Sequence, residues 1–528
     1  MGEPKTPVGW KTVSLAQVAD LVRGVSFPKE VKTSSDERGY VACLRTTNVQ
    51  REVDWQNLWF IPSKYIRREE QYLRSGDVLI STANSLQLVG KVAQVKTIPR
   101  QATLGAFISA IRSVGQINPA FVYYQLTASE YQAKIRNCAS TTTNISNVST
   151  AKLLILDFSV PPAAEQERIV AKIEELLTKL DAGIQELRKA QAQLKRYRQT
   201  VLKAAVTGEL TKEWREAHKD ELEPASELLA RILKERRAKW EANQLARMKD
   251  AGKMPDNDEW KKRYVEAREP LAKKLPSLPG EWLWVSVDQL TEIVTKGSSP
   301  NWQGFNYTHE GVIFVRSQNV GWGALDLKEA AYLPEAFNEK EKKSILKVHD
   351  VLLNIVGASI GRAAVATTAV RGGNVNQAVA IIRLLKSGFT PKLLTQYLIS
   401  PETQRRINME KVDVARANLS LDDIKSIPVP LMSLDEQEQI VAETERLLSI
   451  ADASEQIIER NLKATERMRQ SILKQAFEGK LVPQDPNDEP AEALLERIKV
   501  ERAKRDAEKR AAAKPRRRRV ARASKREE

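Results

Sequence analysis

Apolar positions along this chain fall into two periods, and the order of those periods is written twice. A short helical signal through Leu15, Val18 and Val22 opens the first copy. Strand-like runs follow at Tyr40–Leu44, Leu58–Ile61, Asp77–Ile80 and Phe107–Ile111, rich in β-branched and aromatic residues and bounded by Gly, Pro, Asn and Ser. Phe121, Tyr124, Leu126 and Tyr131 then predict a helix over Ala120–Arg136. The same order returns at Val312–Val315, Ala331–Leu333, Asp350–Ile355 and Val379–Leu384, with a helix near Pro391–Ile407. Each half reads as an α/β (α+β) domain of about 150 residues.

A short proline segment and a long helical pattern close each copy. The first is Val160-Pro161-Pro162, then Ala163 to about Thr207; the second is Ile427-Pro428-Val429-Pro430, then about Leu434 to Glu478. Ser433-Leu434-Asp435-Glu436 has the form of a capping box, and Gly208 and Gly479 suit C-terminal stops. Apolar residues at Ile169, Ile173, Leu176, Leu180, Ile184, Leu187, Ala190, Leu194, Tyr197 and Val201 step by threes and fours, near the period of a coiled-coil seam. The second helix keeps that register at Ile440, Leu447, Ala451, Ile458, Met468 and Ile472. The expected helix–helix interface is therefore Ile173, Leu176, Leu180, Leu187 and Leu194 with Leu447, Ile458, Met468 and Ile472. Helices of this length span roughly 65 Å at the usual rise per residue, more than one small domain needs, so an antiparallel pair relating the halves by a pseudo-two-fold axis is expected.

The repeat is also visible residue by residue. Gly90 matches Gly361, Glu165-Gln166 match Glu436-Gln437, Asp181 matches Asp452 and Gly208 matches Gly479, each pair 271 residues apart. Ala225–Ile232 resembles Ala491–Ile498, 266 apart. The segment between Lys249 and Lys274 has no counterpart. The expected layout is globular domains over 1–160 and 279–430, long helices over 161–208 and 431–479, a charged helical connector over 209–278, and a distal helix with a basic tail over 480–528.

Charge narrows the partner. The 528 residues carry a formal net charge of +16, and residues 510–528 hold nine Lys/Arg against two Glu. The remaining positive charge is spread over the body, which points to a polyanion more than a basic tail alone does. The two cysteines, Cys43 and Cys138, form no CxxC pair and suit a reducing cytoplasm. No apolar run approaches a membrane span, and neither a secretory leader nor lipidation is expected.

Catalytic signatures are missing. No GxxxxGK[ST] occurs, no Asn/Asp-Pro-Pro-aromatic motif, and no HExxH; His218, His309 and His349 are scattered. Pro255-Asp256 with Glu259-Trp260-Lys261 superficially resembles a nuclease motif, but its carboxylates are too close. What remains is polar readout chemistry on loops. Arg45-Thr46-Thr47-Asn48 is matched by Arg316-Ser317-Gln318-Asn319; Arg can bridge guanine, and Asn or Gln can bridge adenine. The same residues also suit structural or phosphate roles. Thr82 and Asn84 stand against Asn354 and Ser359, while Thr142 and Asn144, and Arg416 and Asn418, precede the proline segments. Lys91 and Arg362 follow matched glycines and suit phosphates. The candidate DNA-binding residues are thus Arg45, Thr47, Asn48, Thr82, Asn84, Lys91, Thr142 and Asn144 in the first half. In the second they are Arg316, Gln318, Asn319, Asn354, Ser359, Arg362, Arg416 and Asn418. No catalytic or metal-ligating residue is expected.

The run Pro161-Pro162-x-x-Glu165-Gln166-Glu167-Arg168-Ile169, its partner Asp435-Glu436-Gln437-Glu438-Gln439-Ile440, and the helix endings Ala204–Leu210 and Gln475–Leu481 resemble the specificity subunits of type I restriction–modification systems. That resemblance covers nearly the whole chain. It implies two target-recognition domains that each read one half of a bipartite, gapped site in double-stranded DNA, with the antiparallel helices as spacer. It also implies a subunit without chemistry of its own and without a cofactor. Such a subunit recruits two adenine methyltransferase subunits, which use S-adenosylmethionine, and translocating nuclease subunits, which use ATP and Mg. The competing expectations are a coiled-coil scaffold without a DNA role and an enzyme whose site goes unrecognised. The Trp-rich connector and the Arg516–Arg519 tail depart from the pattern.

Overall fold

A computed structural model describes residues 7–142, 145–270, 275–412 and 418–524. The chain forms two compact units, Met1–Arg188 with Glu459–Glu528 and Lys189–Ile458. Each unit holds one α/β domain, and two long helices, Ala163–Thr207 and Leu434–Phe477, each run from one unit into the other.

In the first unit an antiparallel sheet takes the order Ala19–Arg23, Ile108–Ser113, Val78–Ser81, Val92–Gln94. A second sheet takes the order Trp59–Pro62, Tyr40–Leu44, Ala102–Leu104, its last pair parallel. In the second unit the order Thr291–Lys296, Val379–Leu384, Val351–Asn354, Ala363–Val365 repeats the first sheet. Ala331–Leu333, Val312–Val315, Asn374–Val375 repeats the second. A two-stranded ribbon ties the start of each domain to its proline segment: Lys11–Ser14 with Asp157–Val160, and Leu283–Ser286 with Pro428–Leu431. Pro428 and Pro430 are tolerated because a two-stranded ribbon leaves one edge of each strand without ladder bonds.

Glycine is required at one matched place. A Cβ on Gly24 would lie 2.1 Å from the Gly105 carbonyl oxygen, and one on Gly297 would lie 1.7 Å from that of Val375. Both glycines let the first strand of the larger sheet pass directly over the neighbouring turn.

Each larger sheet buries one face against helices. In the first unit Val78, Ile80 and Ile111 pack with Phe121, Val122 and Leu126, and with Ile169, Ile173, Leu177, Leu473 and Ile498 from the helical segments of the same unit. In the second, Val351, Leu353 and Ile382 pack with Leu393, Leu394 and Leu398, and with Ala205, Ile232, Ile440 and Val441. The opposite faces close smaller cores around Leu44, Leu79 and Leu104, and around Val315, Leu352 and Ile381. Among the described residues, no helix is long and apolar enough to cross a membrane.

Several expected boundaries move. Val22 belongs to a strand, because the opening helix stops at Val18. The helix expected over Ala120–Arg136 is two helices, Pro119–Thr127 and Ser129–Asn137. Its counterpart breaks likewise into Pro391–Ile399 and Pro401–Val412. Pro401 forces the second break. Gln132 and Gln404 hold both breaks open by donating to the carbonyls of Leu126 (2.6 Å) and Leu398 (2.7 Å), helix-end acceptors that would otherwise lack partners.

In the helix pairs, Ile173 and Ile458 are buried, while Leu176, Leu180, Leu187, Leu194, Leu447 and Ile472 are half-buried. Met468 is corrected: it is 52% exposed, and its neighbour Arg469 turns inward instead. Leu473, not Ile472, is fully buried there, and Tyr197 lies outside the seam at 40% exposure. A single seam drifts around a straight helix, and the α/β domain claims a second face.

Candidate nucleic-acid interface

Two frameworks share one plan, and polar turns hang from each. The matched Glu-Gln pair at the start of each long helix is structural. Trp10 Nε1 donates to buried Glu165 at 3.0 Å, and Trp282 Nε1 donates to Glu436 at 2.8 Å. Gln166 accepts from the Asn118 amide at 2.9 Å, and Gln437 from that of Thr390 at 2.8 Å. Each Gln also donates to the carbonyl two residues before its long helix, Pro161 (3.0 Å) and Met432 (3.0 Å). The motif therefore joins the domain to its long helix. The expected capping box at Ser433 is half made: the Ser433 hydroxyl accepts the Glu436 amide, but the Glu436 carboxylate turns to Trp282, Thr211 and Arg215.

The partners of that glutamate differ between units. Glu436 holds Arg215 at 2.7 Å in a buried pair. Glu165 has one oxygen without a partner, and burial pushes its carboxyl above the usual range despite the Trp10 bond and nearby Arg168. Bidentate pairs Arg112–Asp77 and Arg383–Asp350, with closest contacts of 2.7 Å, clamp the two sheets in the same way.

Two matched polar turns follow the strands Tyr40–Leu44 and Val312–Val315. Asn48 accepts the Arg45 amide at 3.0 Å and donates to the carbonyls of Asp54 (2.9 Å) and Gln56 (3.0 Å). Asn319 accepts the Arg316 amide at 3.0 Å and donates to Asp326 at 2.9 Å. Both asparagines are buried, so the structure gives them the work of shaping the turn in place of reading a base. Asn354 is corrected likewise: its buried amide donates to the Ser317 carbonyl at 2.8 Å.

Arg45 and Arg316 are half-buried. Each donates to a carbonyl of the next loop, Asn57 (3.1 Å) and Glu329 (2.7 Å), and lies over an aromatic ring, Trp59 and Tyr307. The side chains that leave the framework are those between, Thr47 and Gln318, both exposed.

The other expected residues are placed as follows. Lys91 donates to Gln50, whose amide donates to the Thr47 carbonyl, so Lys91 belongs to the turn's surroundings. Arg362 is half-buried beside Gly361. Thr82 is buried, with its backbone paired to Phe107 and Val148. Asn84 bonds locally to Ser81 and Ser85. Ser359 bonds the Val356 carbonyl, Asn418 is exposed opposite Val356, and Thr142 is exposed at a strand end. Asn144 and Arg416 lie outside the described residues.

Sequence reasoning missed a cleft of about 670 Å³ in the first unit. Arg51, just past the Thr46–Asn48 turn, and Arg469 both bond Asp181 there, at 2.7 and 2.6 Å. Tyr123 donates to the Arg51 carbonyl at 2.9 Å. Burial alone pushes the Asp181 carboxyl up, but bonds from Arg51 and Arg469 outweigh it and hold the carboxyl below its ordinary range. The matched Asp181 and Asp452 were a signal in the sequence; Arg51, opposite Trp322 in the second copy, was not. Burial pushes the Cys43 thiol up to about 12, so it stays protonated at neutral pH.

The model of one family, described as the type I restriction modification DNA specificity domain, matches residues 7–194 and again 279–463. The EcoKI specificity subunit of Escherichia coli (strain K12), a type I restriction enzyme, is 26% identical over 517 residues, covering 95% of this chain and 97% of that one. The StySPI specificity subunit of Salmonella potsdam is 26% identical over 522 residues, with 95% and 97% covered. A chain solved to explain complex assembly and conformational transition of the type I R-M system aligns with a TM-score of 0.58 at 18% identity, covering 90% of this chain and 99% of that one. The HsdS subunit from Thermoanaerobacter tengcongensis aligns with a TM-score of 0.52 at 18% identity, covering 91% and 99%. These two solved structures share the fold.

Proposed function

The chain belongs to the family defined by the type I restriction–modification DNA specificity domain and is a specificity subunit; from that premise we propose how it reads DNA. The domains within 1–160 and 279–430 each read one half of a gapped, bipartite site in double-stranded DNA. One observation carries this reading: the turns share their buried asparagine and half-buried arginine and differ in what they expose, Thr47 against Gln318. A repeated framework with unlike exposed side chains suits two half-sites of unlike sequence.

The division of labour follows. Gln318 offers an amide that can bridge adenine N6/N7, and Thr47 offers a hydroxyl and a methyl group. Lys91 and Arg362 neutralise phosphates and set register without reading sequence. Arg45, Arg316, Thr82, Asn84, Thr142, Ser359 and Asn418 complete the footprint. The chain carries no chemistry itself; it brings two adenine methyltransferase subunits, with S-adenosylmethionine, and ATP- and Mg-dependent restriction subunits to the bound site. Its place of action is the cytoplasm, where the chromosome lies.

Co-expression with the neighbouring restriction–modification genes, followed by purification and methylome sequencing, tests this. The expected result is a stable complex with a methyltransferase and adenine methylation at one gapped, asymmetric motif. Affinity should fall with salt at a slope of about −0.9 per phosphate neutralised. Absence of both complex and motif would overturn the reading.

A further inference from the structure

Matched turns lead into the central strand of each larger sheet. In the first unit Ala102–Leu104 passes through Gly105-Ala106-Phe107 into Ile108–Ser113. The Ile108 amide donates to the Gly105 carbonyl at 3.0 Å, and the Thr82 amide to the Phe107 carbonyl at 2.9 Å. In the second unit Asn374–Val375 passes through Asn376-Gln377-Ala378 into Val379–Leu384. There the Val379 amide donates to Asn376 at 3.2 Å and the Ile355 amide to Ala378 at 2.9 Å. The backbone task is the same and the side chains are not.

Phe107, expected to begin a strand, stands just outside it and is 64% exposed. Ala378 performs the same backbone task with a methyl group, so the framework does not call for a phenyl ring. Exposing a ring this large forgoes burial of apolar area that a core position would gain. The surroundings are mixed. Thr82 and Asn84 sit on the segment bonded to this turn, and Ile145, 53% exposed, lies on the strand paired with Asn84's.

Among base edges in the major groove, only thymine presents an apolar group, its C5-methyl. We propose that Phe107 is a specificity-determining contact of the first domain and reads a thymine methyl in its half-site. This rests on the specificity-subunit reading above. At the same turn the second domain carries Gln377 and Ala378, so an amide replaces the ring and a different base edge suits it.

The test uses the purified complex of this chain with its methyltransferase and duplexes carrying the mapped motif. Each thymine is replaced in turn by deoxyuridine, which lacks the C5-methyl. Wild type should lose about three- to tenfold in affinity at one thymine of one half-site, the scale of burying one methyl group or slightly more. Phe107→Ala should bind the thymine and uracil duplexes equally there, and Phe107→Leu should keep part of the difference. Gln318→Ala should alter the other half-site, which assigns Phe107's half-site to the first domain. If every uracil duplex affects wild type and Phe107→Ala alike, the contact does not exist, although the motif still supports the specificity-subunit reading. If Phe107→Ala loses the methyltransferase during purification, the ring belongs to a protein interface and the inference is wrong. If the wild-type complex prefers no gapped motif, the underlying reading fails first.

Discussion

Arg469 of the second long helix donates to Asp181 of the first at 2.6 Å, and Arg198 of the first donates to Asp452 of the second at the same distance. The two pairs are repeat equivalents with the helices exchanged. Within the first unit Arg168 meets Asp488 and Asp181 meets Arg469; within the second Arg198 meets Asp452 and Thr211 meets Glu436. In each unit the helical segments therefore run antiparallel.

Arg469→Ala should destabilise the first unit by about 2 kcal/mol, the scale of hydrogen bonds to a charged group. Asp181 adds a pH signature. Its carboxyl is held below its ordinary value of 3.8, so its contribution is present above that value and is lost as pH falls through the depressed one. Urea titrations between neutral pH and about pH 3 check this: the gap between wild type and Asp181→Asn should narrow as the solution becomes acidic.

Asn48→Ala and Asn319→Ala should each cost about 2–3 kcal/mol, since a buried amide is lost and backbone groups are stranded. The midpoint of denaturant unfolding reads this out. If either variant keeps wild-type stability but changes the DNA motif, the turn-shaping role is wrong.

Gln318→Ala and Thr47→Ala should behave oppositely. Both side chains are exposed, so stability should stay within about 0.5 kcal/mol. Discrimination in one half-site should fall by about 1–3 kcal/mol for Gln318→Ala, with the other half-site untouched. Competition binding with single-base variants of the mapped motif measures it.

Arg215→Ala leaves Glu436 buried without its cation and should cost about 3–5 kcal/mol. Because Trp282 donates to the same carboxylate, its fluorescence should report the second unit unfolding early. Glu165, which lacks an arginine partner, gives the contrasting case. Its carboxyl is raised by burial from the ordinary 4.5, so ionising it opposes folding as pH rises. Glu165→Gln should raise the melting temperature at pH 8, and the gain should shrink toward acid pH.

The duplication, the long helices and their glycine stops were legible in the sequence, and so were four strands of each domain; the shorter strands that complete the sheets were not. Period and breaker residues are local, and a repeat 271 residues long registers them twice. Glycines at Gly208 and Gly479 adopt φ of 77° and 70°, as a helix stop requires. Family resemblance was legible because Glu165-Gln166 and Glu436-Gln437 recur as a block, and that block joins each domain to its helix.

What only tertiary structure decided is which polar side chain faces inward. Arg45-Thr-Thr-Asn48 offers four side chains of similar chemistry; packing against Trp59 and the carbonyls of Asp54 and Gln56 uses two of them and leaves Thr47 outside. Phe107 and Met468 show the same limit from the apolar side. Hydrophobicity predicts burial on average, but a turn needed for a neighbour's backbone bonds puts Phe107 into solvent. A domain claiming a second face of the helix turns Arg469 inward in place of Met468. Periodicity is a property of neighbours in the chain, whereas burial depends on residues far away in it.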